Sequence, residues 1–278
     1  KQGFERLSHA IEKQSPKTLK QSAALENSIS DVRFTSQYRI PYPFRTLLPK
    51  AFKLGSIIEQ SQGNKIKDLD GNWRYDVSGS YGVNVFGYEF YKECLEQGYK
   101  TASELGPVLG AYHPVIEENV KKIKRASGLD EISFHMSGTE AVMQAVRLAR
   151  YHTGRSHLVR LCGAYHGWWD GVQPGVGNKR DVNDVYTLND LSDKTLTILK
   201  TRKDIACVLI NPMQAFHPNG DSPSDNMLIA SDRNTDFNKE RYTNWLKKIR
   251  AICNERNIVL IFDEVFTGFR LGHRGAQG

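Results

Sequence analysis

The segment 258–265 constrains the fold of this chain more than any other. Five consecutive apolar residues, most of them β-branched or aromatic, are followed by two carboxylates, Asp263 and Glu264. Such a run predicts a strand that is buried on both faces of a parallel sheet. The acids then lie at the carboxyl end of the strand, where open α/β sheets bind their ligands. Because an unpaired buried carboxylate is costly, we expect Asp263 to face a cation.

Preceding segments alternate between strand and helix patterns. Strands are predicted at 132–135, 157–161 and 206–210, and residues 215–238 read as a long surface loop. Helices are predicted at 89–104, after Pro114, after Gly138 and at 239–256, where apolar residues recur at helical spacing. This alternation predicts an α/β fold, with a mostly parallel sheet and covering helices.

The N-terminal third has a different organisation. Residues 1–40 predict a leading arm with helical segments. Residues 41–88 are predicted to form the first part of a small domain. This part contains an antiparallel β meander, with turns at 63–64 and 70–72. Residues 89–278 then form a large domain, and its C-terminal part is expected to be missing from this sequence.

Composition and charge exclude several classes of function. The net charge is +7, but the basic residues are scattered among acidic ones. This pattern predicts no nucleic-acid partner. No apolar run could cross a bilayer, so no membrane partner is predicted. The four cysteines form no CxxC motif and are typical of reduced thiols in a cytoplasmic protein. The eight histidines include no HExxH spacing, and we predict no metal site.

The turn Ser137-Gly138-Thr139 lies between a predicted strand and a predicted helix. Free N–H groups and the positive end of the helix dipole make such a turn an anion site, and Gly138 lets a phosphate approach the backbone. Ser137 and Glu140 also have the spacing of a capping box, which is the purely structural alternative. The pattern leaves both interpretations open.

Two other strand ends carry aromatic or amide side chains. Tyr165-His166-Gly167 follows one strand, and Gln214 follows another. Taken singly, Tyr165 and His166 could be buried structural residues, and Asp263 could be a salt-bridge partner. Taken together, these groups and the anion turn meet at one edge of one sheet. A flat phosphorylated heterocycle with a ring nitrogen would use all of them.

In this order and spacing, the motifs resemble those of class III aminotransferases. They are SGTEA at 137–141, RLAR at 147–150, YHG at 165–167, IFDEV at 261–265 and TGFR at 267–270. Within that family the chain is most similar to glutamate-1-semialdehyde aminomutases and to the aminotransferase domains embedded in polyketide or peptide synthases. The likeness runs from about Pro43 to Gln277.

The resemblance implies a fold-type-I scaffold that binds pyridoxal 5′-phosphate (PLP). It places the phosphate on Ser137, Gly138 and Thr139, and it stacks Tyr165, with His166 beside it, on the pyridine ring. Asp263 would pair with the ring nitrogen, Val265 would cover the other ring face, and Gln214 would lie near the 3′-hydroxyl. On the substrate side, the resemblance implies Arg45, Ser80 and Tyr81.

The resemblance implies a homodimeric enzyme that moves an amino group, as an aminotransferase or a 2,1-aminomutase. Its substrates would be a small-molecule amino donor and a carbonyl acceptor, either free or tethered to a carrier protein. Asn211 departs from the Glu usual at that position, and the family's Schiff-base lysine is expected beyond Gln277. The alternatives are a catalytically silent PLP-binding or scaffold module of a larger assembly, and a fold-type-I decarboxylase or racemase.

Overall fold

A computed structural model describes residues 2–30, 57–173, 179–213 and 238–278. The chain divides into two compact units, Lys1–Glu117 and Glu118–Gly278. No helix in the described part of the chain is long and apolar enough to cross a membrane.

The first unit contains a helix pair, a three-stranded sheet and a further helix. The helix pair is α1 (Gln2–Gln14) and α2 (Pro16–Ser28). The strands β1 (Gln60–Gln62), β2 (Lys65–Lys67) and β3 (Trp73–Tyr75) form the predicted antiparallel meander. Helix α3 spans Tyr88–Ala102, one residue from its predicted start.

Two carboxylates connect the helix pair to the meander. Asp68 is buried and accepts hydrogen bonds from Ser15 Oγ at 2.7 Å and from Arg74 Nη1 at 2.6 Å. Asp70 accepts the backbone N–H groups of Lys17 at 3.0 Å and Thr18 at 2.9 Å. Because the first N–H groups of a helix have no partner inside it, Asp70 caps α2 from more than fifty residues away.

The second unit is built on a parallel sheet whose strand order is β5-β4-β6-β7. The strands are β4 (His157–Leu161), β5 (Val185–Leu188), β6 (Ile205–Ile210) and β7 (Val259–Phe262). The helices are α4 (Val115–Ser127), within which the division between the units falls, α5 (Gly138–Thr153), α6 (Asp193–Thr201) and α7 (Lys239–Arg256).

Helices cover both faces of this sheet. On one face, α5 packs Val142, Val146 and Ala149 against Leu158 and Leu209. On the other face, Leu199 of α6 and Trp245 and Ile249 of α7 pack against a second set of strand residues, Val159, Leu161, Val208 and Ile210. Strand β6 is buried along its whole length because it has strand neighbours on both sides and helices above and below. The predicted α/β architecture is therefore confirmed.

Three expectations about single elements need correction. Val259–Phe262 is only half-buried, because β7 lies at the end of the strand order among the described residues. Residues 132–135 form no strand, since that short run has two apolar residues and Phe134 remains exposed. Strand β5 and helix α6 were not predicted. The expected loop over 215–238 lies outside the described residues.

Candidate functional site

Three segments of the second unit meet at the carboxyl edge of the parallel sheet. They are the turn at the start of α5, the loop after β4 and the segment after β7. Parallel strands end at a common edge, so the loops that follow them converge there. Five of the residues that the sequence singled out are brought together by pairwise contacts between these segments: Gly138, Thr139, His166, Asp263 and Val265.

The shortest of these contacts joins His166 to Asp263. His166 Nδ1 lies 2.7 Å from Asp263 Oδ2, and the two side chains are 0% and 4% exposed. Asp263 Oδ1 accepts the backbone N–H of Val265 at 3.2 Å. The backbone N–H of Asp263 donates to Ile210 O at 2.8 Å, which continues the pairing of β6 with β7 by one residue. Asp263 is therefore fixed through its backbone and through both carboxylate oxygens.

His166 keeps one ring nitrogen without a hydrogen bond. Nε2 is buried and has no partner among the described residues. A buried ring nitrogen in this state is uncommon in folded proteins, and it marks His166 as a candidate for a role beyond packing. The resemblance placed His166 beside Tyr165, which is predicted to stack on the cofactor ring, but the sequence gave no sign that His166 would contact Asp263 directly.

The turn before α5 forms the predicted cap. Ser137 has an extended backbone, and its Oγ accepts the N–H of Glu140 at 3.2 Å. Glu140 Oε2 reaches back to the N–H of Met136 at 2.9 Å, one residue earlier than in a standard capping box. The capping interpretation is confirmed. The cap uses the hydroxyl of Ser137 and the N–H groups of Glu140 and Met136, and anion binding by the other groups of the turn stays a prediction.

Two close approaches connect that turn to the other segments. A Cβ on Gly138 would lie 3.2 Å from Val265 Cγ2, so glycine lets the segment after β7 reach the start of the helix. Thr139 Oγ1 accepts the backbone N–H of Trp168 at 3.3 Å. Gly167, with a φ of +96°, passes so close to Thr139 that a Cβ would lie 3.0 Å from its Cα. A side chain at Gly167 would force the two segments apart, whereas one at Gly138 would require Val265 to shift by a few tenths of an ångström.

Tyr165 is half-buried at the same edge. Its ring lies edge-on to that of Trp168, with the ring centroids 6.3 Å apart. Trp168 was not among the predicted site residues. The signal that could have identified it was available, because an aromatic residue directly after Tyr-His-Gly falls in the same loop.

Asn211 lies next to Asp263 in the sheet. It follows β6 as Asp263 follows β7, and the register pairs Ile210 with Phe262. Asn211 is buried, and its Oδ1 accepts the backbone N–H of Met213 at 3.2 Å. A neutral amide therefore occupies the position beside the carboxylate of Asp263.

The predicted substrate residues are only partly described. Arg45 lies outside the described residues, and so does Gln214, which was predicted on the cofactor side near the 3′-hydroxyl. Ser80 and Tyr81 lie in the first unit, in a helical turn at Gly79–Gly82, with φ values of 51° and 59°. Both line a cleft of about 1100 Å³ in that unit. Positive φ is rare for residues with a side chain, and such strain concentrates at functional sites.

Hydrogen bonds hold this turn in place. Asp76 Oδ1 accepts the backbone N–H groups of Ser78 at 3.1 Å and Gly79 at 3.0 Å, and Asp76 Oδ2 accepts the hydroxyl of Tyr88 at 2.7 Å. Hydrogen bonds from Ser78 and Tyr88 lower the pKa of Asp76.

In the part of the chain that the structure describes, no group of three or more potential ligands could hold a metal ion.

Comparisons with known proteins show which family and which solved structures the chain is similar to. Residues 49–184 match the family model described as aminotransferase class-III. This match covers 136 of the 278 residues. A glutamate-1-semialdehyde 2,1-aminomutase of Francisella philomiragia is 30% identical over 253 residues, which cover 84% of this chain and 53% of that protein. The chain thus spans about half the length of the curated relatives that it matches.

Solved structures show the same fold. A β-phenylalanine aminotransferase from Variovorax paradoxus superposes with a TM-score of 0.71 at 21% identity, over 96% of this chain and 55% of that one. A transaminase solved with PLP bound superposes with a TM-score of 0.64 at 25% identity, over 93% of this chain and 58% of that one. These superpositions confirm the predicted fold-type-I scaffold.

Proposed function

We propose that the chain supplies the cofactor-binding part of a PLP-dependent enzyme that transfers an amino group, as an aminotransferase or a 2,1-aminomutase. The observation that carries this proposal is the fixed, buried carboxylate of Asp263 at the same sheet edge as the start of α5. A buried acid and a helix start whose free N–H groups can bind an anion, on one edge, suit a molecule with a protonated ring nitrogen and a phosphate. The transaminase with PLP bound adds support.

The residues present fit this cofactor. Asp263 would accept a hydrogen bond from the protonated ring nitrogen. Each of its carboxylate oxygens has one hydrogen-bond partner and can accept a second hydrogen bond. The backbone of Gly138 and Thr139 and the hydroxyls of Ser137 and Thr139 would hold the phosphate. Tyr165 would stack on one face of the ring, Val265 would cover the other, and Gln214 would lie near the 3′-hydroxyl.

Bound PLP supplies an electron sink for bond breaking at the carbon that bears the amino group. The chain's own contribution is electrostatic and geometric. Asp263 holds a negative charge where the ring nitrogen keeps its proton, and His166 fixes the orientation of that carboxylate. Burial of both side chains excludes water, which strengthens the interaction.

On the substrate side, we propose Arg45 for a substrate carboxylate, and Ser80 and Tyr81 for the substrate-side loop. The strained backbone at Ser80 and Tyr81 supports the latter assignment. The substrates would be a small-molecule amino donor and a carbonyl acceptor, either free or tethered to a carrier protein.

We further propose a cytoplasmic homodimer. The four free cysteines support the compartment, and light scattering would measure the assembly.

Titration of the purified chain with PLP tests the proposal. We expect saturable binding that perturbs the absorbance of the cofactor and induces circular dichroism in it. Asp263→Asn should weaken binding at least tenfold, because it removes the charge that faces the ring nitrogen. Asp193→Asn, at an exposed acid of α6, is the matched control and should bind as the wild type does. An unchanged affinity in Asp263→Asn would refute the role of Asp263.

A separate assay distinguishes the reactions. With the complete protein, amino donors should yield an amino product without release of carbon dioxide. Release of carbon dioxide, or racemisation of the donor, would instead identify a decarboxylase or a racemase built on the same cofactor site. Saturable binding of PLP by the complete protein with no turnover of any donor would identify a silent module.

A further inference from the structure

Glu264, between Asp263 and Val265, holds both ends of the segment that follows β7. Its Oε2 accepts the hydroxyl of Thr267 at 3.0 Å and the backbone N–H of Ala276 at 2.8 Å. Its own carbonyl accepts the N–H of Gly268 at 2.7 Å. One residue therefore closes a loop of about twelve residues on itself.

The loop is folded closely around this carboxylate. Gly275, with a φ of +67°, passes Glu264 so closely that a Cβ would overlap the carboxylate group. Thr267, which donates to that group, is itself buried. Arg270 adds a second closure, since its Nη1 donates to Val265 O at 3.0 Å and to Gly268 O at 3.1 Å. Glu264 is thus the centre of the segment, with its carboxylate turned toward the loop.

This loop reaches the candidate site through Val265. The backbone N–H of Val265 donates to Asp263 Oδ1 at 3.2 Å. The Val265 side chain lies against Gly138, with Cγ2 at 3.2 Å from the position of a Cβ there. A shift of Val265 would therefore disturb the Asp263 carboxylate and the turn at the start of α5 together.

We propose that Glu264 is a positioning residue for cofactor binding, which acts by holding Val265 between Asp263 and Gly138. The inference rests on the proposed function, because the molecule to be positioned is PLP. A carboxylate suits this task, since hydrogen bonds to a charged acceptor are about twice as strong as neutral ones. Glu264 acts through Val265, whereas Asp263 is assigned to direct contact with the ring nitrogen.

The test compares the wild-type chain with Glu264→Ala, Glu264→Gln and a control, Glu255→Ala, at an exposed position of α7. Glu264→Ala should weaken PLP binding about tenfold, the factor that corresponds to one lost hydrogen bond to a charged group. It should also reduce the circular dichroism per bound PLP. Glu264→Gln keeps an oxygen that accepts both bonds and should recover most of the affinity. Glu255→Ala should match the wild type.

Hydrogen exchange at the Val265 and Ala276 amides makes the test independent of the cofactor. Glu264→Ala should speed exchange at both amides, and Glu264→Gln should restore most of the protection. If Glu264→Ala does not fold, Thr267→Val removes only the hydroxyl donor and should raise exchange at Val265 to a smaller extent. Unchanged exchange at Val265 in these variants would overturn the proposal.

The two proposals fail in different ways. If the wild-type chain binds no PLP, the proposed function fails, whatever the amide exchange shows. If the wild-type chain binds PLP and Glu264→Ala binds it with the same affinity and the same circular dichroism, the positioning role of Glu264 fails while the proposed function stands.

Discussion

His166 Nδ1 lies 2.7 Å from Asp263 Oδ2, and the two residues are 97 positions apart in the chain. The pair joins the loop after β4 to the end of β7, and both side chains are buried. Removing one partner of a buried pair leaves the other without its compensating interaction, which typically costs more than the pair contributes when intact.

We therefore expect His166→Leu to lower the free energy of unfolding by about 3 kcal/mol. Chemical denaturation of the wild type, His166→Leu, Asp263→Asn and the double variant would measure the effect as a double-mutant cycle. The two substitutions should be non-additive by at least about 0.5 kcal/mol, because the second removes a group that has already lost its partner. Additive effects would show that the two side chains do not stabilise each other.

Gly138→Ala should weaken PLP binding about tenfold, or about 1.4 kcal/mol. The reason is steric, since the new Cβ would lie 3.2 Å from Val265 Cγ2 and Val265, which we assign to one face of the ring, would have to shift by a few tenths of an ångström. Equilibrium titration with PLP measures the change.

Two further variants control that experiment. Val265→Ala in the same chain removes the opposing methyl groups and should restore part of the affinity. Gly98→Ala places a Cβ in α3 where no atom lies within 4 Å, and it should leave PLP binding unchanged. If Gly138→Ala binds PLP as the wild type does, the contact between Gly138 and Val265 does not control the site.

The first unit should lose stability in acid because of Asp68. Burial alone would raise the pKa of this carboxyl, but hydrogen bonds from Arg74, Asn72 and Ser15 outweigh burial and lower the pKa well below its usual range. A carboxyl with a lowered pKa in the folded state stabilises the protein above its unfolded pKa of about 3.9. That contribution is lost progressively as the pH falls below about 4.

Asp68→Asn should lower stability by about 2 kcal/mol at neutral pH and should flatten the loss of stability below about pH 4. Circular dichroism during denaturation at several pH values measures both effects. Glu12→Gln, at an exposed position of α1, serves as the control and should follow the wild-type pH dependence. The same steep loss in Asp68→Asn as in the wild type would assign the acid sensitivity to other groups.

The four thiols should differ widely in reactivity. Cys94 is exposed, whereas burial raises the pKa of Cys207 to about 12 and that of Cys253 to about 11. The thiolate is the reactive form, so a pulse of alkylating reagent near neutral pH should modify Cys94 first. Cys207 and Cys253 should react only after denaturation. Mass spectrometry of the peptides would detect the order, and early modification of Cys207 would contradict the packing of β6.

The sequence predicted an element correctly where residues within that element determine its structure. The helix over 239–256 was predicted at both ends, because its apolar stripe is encoded within the segment itself. The turn at Ser137 was predicted for the same reason. Strand β5 has four residues and a mixed pattern, and it becomes a strand because it pairs with β4. A pairing of that kind has no local signature.

The amino-acid sequence by itself determined strands β4, β6 and β7, helices α5 and α7, the acid at the end of β7 and the glycine at the start of α5, because these depend on periodicity and on the chemistry of adjacent residues. Only the tertiary structure decided that Asp263 contacts His166, that Val265 reaches Gly138, and that Glu264 closes the loop beside them. These contacts depend on how parallel strands align, since the register of β6 and β7 brings distant residues to one edge.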